Sequence, residues 1–364
     1  MTGNGTGNGA RAAAASAKPK FAMYWAASCG GCDIAVLNTS ENVLDVDANF
    51  DVVFWPVAMD AKYRDVEAMA DGSILLTLFS GGIRNSENEE LAHLLRRKSK
   101  LLVAFGSCAC EGCIPGLANL SSPEQLFAAA FDSITTENPE GLRPQAEWQA
   151  PEGVLRLPVF APVLRTLDQV VPVDYYLPGC PPERHQIAAV IQLAIKVIHG
   201  EAEFPPIGST IGAGHSTCCD ECPRTRGIKK IKAFTRPQEM AVIDPVLCLL
   251  EQGIPCNGPA TRDGCGALCP RAGAQCIGCY GPAEGVVDYG SRLISAFASV
   301  IDATDPADIE RIIATIPDPV GQFYRFSLAS SLLRAGRAAW DAQGALDAGR
   351  AGAAPAHATA GAER

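Results

Sequence analysis

Cysteine is the residue type in this chain whose number and spacing point to chemistry. The sequence contains 15 cysteines, and in a reducing compartment a set of that size is more typical of metal binding than of disulfides. Closely spaced pairs place two sulfurs on one side of a metal centre, and distant cysteines can close the other side. The candidates sort into a first group of Cys29, Cys32, Cys108 and Cys180, a second group of Cys219, Cys222, Cys248 and Cys256, and a third group of Cys265, Cys269, Cys276 and Cys279.

Two kinds of metal centre fit a group of four cysteines. A [4Fe–4S] cluster is held by four thiolates, but a zinc site with four cysteine ligands also uses paired CxxC units. Zinc stays open as the alternative for the third group, whereas the first group draws on three distant parts of the sequence, which favours a cluster there. Proline follows one cysteine in each group, as it does at the end of the bacterial ferredoxin motif. These pairs are Cys180-Pro181, Cys222-Pro223 and Cys269-Pro270.

Three further cysteines, Cys110, Cys113 and Cys218, stand outside the groups. Cysteine is also a small residue that is often buried for its packing alone. For these three positions that structural role is the alternative to metal binding.

In the part of the sequence that contains the first group, predicted strands alternate with predicted helices. Such alternation predicts a parallel sheet covered on both faces, a doubly wound α/β domain, in which ligands bind at the carboxyl ends of the strands. Cys29 and Cys32 follow the first predicted strand, and Cys108 and Cys180 follow the last two. The predicted strands are Phe21–Ala27, Phe50–Val57, Ile74–Phe79, Leu101–Gly106 and Asp174–Leu177, and helical periodicity marks Asn85–Arg97 and Glu183–His199.

The texture of the sequence changes after about residue 205. Nine of the 15 cysteines lie between Cys218 and Cys279, in a Gly- and Pro-rich stretch with few aliphatic residues, so metal ligation is expected to supply folding energy there. Helical patterning returns from Ile309 to Trp340, and Phe131–Gln169 has the character of a Pro-rich insertion. The predicted organisation is a disordered arm (1–20), an α/β domain (21–205), a small irregular metal-binding domain (206–290), a C-terminal helical region (291–345) and a disordered tail (346–364).

Charge and hydropathy limit which classes of partner and which cellular location are expected for this protein. The formal net charge of −10 argues against a nucleic-acid partner, which would require a basic face. No stretch of about 18 apolar residues is present, so no transmembrane helix is predicted. The first residues lack the apolar core of a signal peptide and a twin-arginine pair, so a cytoplasmic protein is expected.

A series of short motifs from Phe21 to Pro282 resembles the small subunits of [NiFe] hydrogenases. The resemblance is strongest to those of the cytoplasmic F420-non-reducing (methyl-viologen-reducing) type, because many motifs occur in the same order. They are Ser28–Cys32, Gly82–Asn85, Ala104–Ala109, Ile114–Leu117, Pro178–Pro182, Cys219–Arg224, Cys248–Gly253, Gly264–Pro270 and Cys276–Pro282.

The resemblance implies a flavodoxin-like domain and three [4Fe–4S] clusters. The first group would hold the proximal cluster, the third group the medial cluster and the second group the distal cluster. Many periplasmic relatives lack one medial cysteine and use a histidine at the distal site, whereas this sequence has Cys269 and Cys219 at those positions. Cys110 and Cys113 depart from the family pattern, as does the alanine-rich tail.

The implied function is electron relay in a hydrogenase complex, an oxidoreductase whose Ni–Fe active site lies on a partner large subunit. This chain would have no catalytic residue of its own, and its electrons would pass to an acceptor protein such as a flavoprotein, a ferredoxin or a heterodisulfide-reductase-like protein. Apolar residues beside the first group, among them Ile114, Pro115 and Leu117, are expected to meet the large subunit; the alternative is that they pack into the chain's own core.

Two other functions that keep the iron–sulfur clusters stay open for the same cysteine groups. One is a subunit of an H₂-sensing or regulatory complex. The other is a complex-I-like quinone-reducing module, but its comparable subunit normally ends after the first group, so the cysteines from Cys219 to Cys279 argue against it. A zinc-binding scaffold is the alternative without redox chemistry.

Overall fold

The computed structural model describes residues 18–228 and 230–333. Three predicted segments lie wholly or partly outside the described residues. They are the C-terminal tail, most of the N-terminal arm and the end of the helical region that is predicted up to Trp340. The strands are β1 (Lys20–Trp25), β2 (Asp51–Phe54), β3 (Ile74–Ser80), β4 (Ile83–Asn85), β5 (Ser99–Phe105), β6 (Glu147–Ala150), β7 (Gly153–Arg156), β8 (Phe160–Arg165) and β9 (Tyr175–Leu177).

Five of these strands form one parallel sheet in the order β2-β1-β3-β5-β9. Counted within the sheet alone, that order is 2-1-3-4-5, which is the flavodoxin-like arrangement. All five predicted strands are present, and the predicted doubly wound α/β class is confirmed. The remaining strands form two antiparallel pairs, β4 with β8 and β6 with β7, so the Pro-rich stretch after Phe131 contains short strands.

Up to residue 198 the helices alternate with the strands. Beyond that residue the longer helices lie near the C-terminal end of the described residues. Both helices predicted from periodicity are present, as α4 (Ser86–Lys98) and α7 (Arg184–Ile198). The Asn85 side chain caps α4 by accepting a hydrogen bond from the N–H of Asn88 at 2.8 Å. The helices are α1 (Gly31–Leu37), α2 (Asn42–Asn49), α3 (Tyr63–Glu67), α4 (Ser86–Lys98), α5 (Ser107–Glu111), α6 (Pro123–Phe131), α7 (Arg184–Ile198), α8 (Cys218–Glu221), α9 (Leu268–Arg271), α10 (Tyr289–Ala298), α11 (Pro306–Ile313) and α12 (Pro319–Tyr324). Short 3-10 turns occupy Ile114–Leu120, Leu167–Gln169, Pro237–Glu239 and Leu250–Gln252.

Both faces of the parallel sheet are buried, as the alternation of side chains along a strand requires. In β1, Met23 packs with α1 and α7 on one face, whereas Tyr24 packs with α4 on the other. In β5, Phe105 and Leu102 divide between the same two cores. The helices therefore cover the faces and leave the carboxyl edge of the sheet free to carry the first cysteine group.

A further core, separate from the two that flank the sheet, lies in the C-terminal part of the chain. Between residues 209 and 282 the described helices are short, but Phe234 packs against Phe297 of α10 with ring centroids 4.9 Å apart, and Phe297 meets Phe323 of α12 at 5.4 Å. The same core includes Leu249 and Ile254. The cysteine-rich segment, expected from its sequence to lack an ordinary core, thus shares one with the C-terminal helices.

Within the described part of the chain, no helix is both long and apolar enough to cross a membrane.

Candidate metal centres

The carboxyl edge of the sheet brings the first cysteine group together. Cys29 and Cys32 flank a turn at the end of β1, where Gly30 has a φ of +81° that favours glycine. Cys108 lies on α5 directly after β5, and Cys180 follows β9. Cys32 interacts electrostatically with both Cys29 and Cys180, and Cys108 and Cys180 belong to one packed cluster. Three strand ends therefore deliver four thiols to one place.

Close backbone approach is part of this arrangement. Gly106, at the end of β5, has a φ of +81°, and a Cβ atom built on it would collide with Cys32 Sγ. Any larger residue would displace that sulfur. Cys29 is exposed, whereas Cys32 and Cys108 are buried, and burial raises the pKa of the Cys32 thiol. A metal ligand must be deprotonated, so a positively charged centre would offset the unfavourable burial of that thiolate.

Cys113 lies at the same place, although sequence reasoning left it outside the first group. Its Sγ is 3.5 Å from Cys180 Sγ, and its thiol also hydrogen-bonds the Cys108 thiol. Cys110 differs, because its Sγ lies 3.3 Å from the carbonyl oxygen of Ala104 and it is packed in the apolar core beneath the sheet. The two cysteines are only three residues apart, and the end of α5 at Glu111 turns them to different surroundings.

The third group lies in the loops around α9. Cys279 interacts electrostatically with Cys276, Cys265 and Cys269, so the four predicted ligands are neighbours. Cys218, the other cysteine left out of the groups, hydrogen-bonds Cys265 and Cys276. The pKa of Cys265 is lowered because Cys218 donates to its sulfur, and backbone N–H groups at the start of α9 also point toward it.

The four cysteines of the second group line one pocket. Gly258 borders the pocket, and a Cβ built on it would lie 2.9 Å from Cys219 Sγ. Burial raises the pKa of the Cys219 thiol to about 12, and the positive charge of Arg226 opposes that shift. The lining residues are Cys218, Cys219, Cys222, Arg224, Arg226, Cys248, Leu249, Cys256, Gly258 and Pro270.

The three groups lie in series, with the third group in the middle. On one side, Cys279 of the third group packs with Cys180 of the first, and the Ser107 hydroxyl of α5 donates a hydrogen bond to the carbonyl oxygen of Cys279. On the other side, the Cys276 N–H of the third group donates to Cys256 Sγ of the second group at 3.4 Å. The order along the chain is different, because there the second group lies between the other two.

The donor sets fit soft metal centres. All twelve predicted ligands are thiols, the donors preferred by iron–sulfur clusters and by zinc. Among the residues the structure describes, no three Cys, His, Asp or Glu side chains converge closely enough to hold a single metal ion.

Known proteins are similar to this chain over most of its sequence. A family model described as NADH ubiquinone oxidoreductase, 20 kDa subunit, matches residues 29–194. The F420-non-reducing hydrogenase iron–sulfur subunit of Archaeoglobus profundus is 40% identical over 320 residues, covering 86% of this chain and 97% of that protein. A subunit of the F420-non-reducing hydrogenase of Methanothermobacter marburgensis is 34% identical over 321 residues, covering 87% and 96% respectively.

A solved structure of the [NiFeSe] hydrogenase from Desulfovibrio vulgaris Hildenborough is also similar. The match is 17% identical with a TM-score of 0.47, and it covers 74% of this chain and 95% of that one.

Proposed function

Because this chain belongs to the family of F420-non-reducing hydrogenase iron–sulfur subunits, small subunits of [NiFe] hydrogenases, we propose that it relays electrons between the Ni–Fe site of a large subunit and an external acceptor protein. The observation that carries this proposal is the serial arrangement of three cysteine groups. Three [4Fe–4S] clusters held there would form a chain of neighbouring redox centres. The first group would be proximal, the third medial and the second distal.

The surface around the first group supports a large subunit on that side. Cys29 is exposed, and next to it Ile34 of α1 is 58% exposed and Trp25 at the end of β1 is 42% exposed. Ile114, just past Cys113, is 51% exposed. Apolar side chains gathered around a candidate redox site are typical of a surface that a partner covers.

The surface around the second group supports an acceptor protein on the other side. Residues 223–238 contain six Lys and Arg residues and no Asp or Glu, although the whole chain has a net charge of −10. Arg226 and Arg292 of α10, together with Glu251, also line a surface groove that reaches Cys219 and Cys248. A basic surface beside the outermost group fits an acceptor whose docking face is acidic. Flavoproteins, ferredoxins and heterodisulfide-reductase-like proteins are the classes to test.

The chain's own contribution is to hold the thiolates, limit water and direct hydrogen bonds to sulfur. When bound, an iron–sulfur cluster supplies one-electron redox chemistry, and hydrogen bonds to its sulfurs and solvent exposure set its potential. Each group has such a donor. The Gly31 N–H lies 3.4 Å from Cys29 Sγ, the Cys276 N–H lies 3.4 Å from Cys256 Sγ, and backbone N–H groups hydrogen-bond Cys265.

Metal analysis and redox spectroscopy of the anaerobically purified complex test the proposal. We expect about twelve iron atoms per chain, four for each [4Fe–4S] cluster, and reduction of the clusters by H₂ when the large subunit is present. Stoichiometric zinc with little iron would rule out the relay. A cytoplasmic location is part of the proposal, because free thiols persist in a reducing compartment; fractionation of the native cells tests it.

A further inference from the structure

The first site contains a fifth thiol that the four-ligand assignment does not use. Cys113 is 1% exposed, and its Sγ lies 3.5 Å from Cys180 Sγ; if Cys180 is a deprotonated metal ligand, Cys113 must be the donor in this contact. Cys108, another predicted ligand, is also its hydrogen-bond partner. Cys113 is thus in direct contact with two of the four proposed ligands.

The backbone holds Cys113 in this place from two directions. Its N–H donates to the carbonyl oxygen of Phe326 at 3.0 Å, and Phe326 lies beyond α12, in the C-terminal part of the chain. Its φ is +50°, a region that residues with a side chain enter only when the surrounding structure compensates for the backbone strain. The packing of the C-terminal segment against α5 therefore keeps this thiol directed at the site.

We propose that Cys113 is a fifth sulfur of the first site, outside the ligand set, whose single S–H donates a hydrogen bond to a ligand sulfur, that of Cys180 or of Cys108. The inference rests on the proposed function, since it takes Cys180 as a cluster ligand. A hydrogen bond to a ligand sulfur offsets part of its negative charge and so favours the reduced cluster. Cys113 would then raise the reduction potential of the cluster nearest the large subunit. It is a positioning residue and transfers no electron itself.

The test compares three variants in the complete, anaerobically purified complex. Cys113→Gly removes the thiol while glycine accepts the positive φ, so folding is not put at risk. Cys113→Ser keeps a donor of similar size at the same place. Cys110→Ala is the matched control, because Cys110 is a buried cysteine three residues away that donates to the Ala104 carbonyl.

The readouts are iron content and an EPR-monitored redox titration. For Cys113→Gly we expect unchanged iron and a lower midpoint potential for one cluster, with partial recovery in Cys113→Ser and no change in Cys110→Ala. Unchanged potentials in Cys113→Gly would overturn the proposal. Loss of about four iron atoms in Cys113→Gly would also overturn it, by making Cys113 a ligand. Failure of the relay itself is recognised separately, because the unaltered complex would then lack iron.

Discussion

At the scale of single residues, the candidate sites depend on glycines that let backbone approach sulfur. Gly106 touches Cys32 in the first group and Gly258 touches Cys219 in the second. Both sites would lose their geometry if a Cβ atom pushed the sulfur aside. The cysteines are visible in the sequence, but these glycines are marked only by what they contact in the folded chain.

The first prediction concerns Gly258. In Gly258→Ala the new Cβ would lie 2.9 Å from Cys219 Sγ, so we expect the second group to lose its cluster, about four of twelve iron atoms. The control is Gly227→Ala in the neighbouring loop, where the nearest atoms to a new Cβ are an ordinary 3.6 Å away. Iron analysis with EPR checks both variants, and full iron retention by Gly258→Ala would contradict the prediction.

At the scale of elements, the C-terminal helices complete the core of the cysteine-rich segment. Helix α10 contributes Leu293 and Phe297, and α12 contributes Phe323, to a core that also contains Phe234 and Ile254. This shared core joins the segment predicted as a metal-binding domain to the segment predicted as a helical region. The two pack together because the short helices and loops between residues 209 and 282 have little apolar surface to bury by themselves.

The second prediction follows from that shared core. Phe297→Ala removes a buried ring that stacks on Phe234. Such truncations typically lower the free energy of unfolding by about 3–5 kcal/mol. We expect hydrogen exchange to quicken in residues 206–333, with the parallel sheet protected as before. The control is Phe54→Ala, which removes a fully buried ring of β2. In this variant hydrogen exchange should quicken in the parallel sheet and stay unchanged in residues 206–333. Equal loosening of both regions by Phe297→Ala would show that the two cores unfold together.

At the scale of the whole molecule, the series of sites has two different ends. The first group lies beside exposed apolar side chains, and the second beside a basic segment. Obligate interfaces are comparatively apolar, whereas transient encounters are steered by charge. Under the proposed function, the apolar end would bind a permanent large subunit and the basic end an exchanging acceptor.

The third prediction tests the apolar end. Ile34→Glu places a charge on the exposed side of α1 next to the first group, and we expect it to weaken assembly with the large subunit, since a buried unpaired charge is strongly unfavourable. Ile207→Glu is the control, because Ile207 is also exposed but lies near the amino end of β9, at the opposite edge of the sheet. Size-exclusion chromatography of co-expressed subunits measures the effect, and equal assembly of both variants would exclude this face.

The fourth prediction tests the basic end. Lys232 is exposed and follows Ile231, whose N–H bonds the carbonyl oxygen of Val300 at the edge of the groove near Cys219. We expect Lys232→Glu to slow electron transfer to an acidic acceptor at low ionic strength, by a factor that shrinks as salt screens the charges. Lys196→Glu on α7 makes the same charge change away from this surface. Stopped-flow rates across a salt series compare the two, and identical salt dependence would contradict the assignment.

The sequence by itself determined the α/β class, the succession of the strands along the chain and the motifs that identify the family. Those features are local, because side-chain alternation reveals strands and strand ends reveal where Cys29, Cys108 and Cys180 must meet. Only the tertiary structure shows which contacts link the third group to the other two, Cys279 with Cys180 and Cys276 with Cys256. The tertiary structure also decided that Cys113 faces the first site, whereas Cys110 is buried in the core beneath the sheet. It further decided that α10 and α12 complete the core in the C-terminal part of the chain. These facts depend on contacts between residues far apart in the chain, such as Cys113 with Phe326 and Cys180, and no local pattern records such contacts.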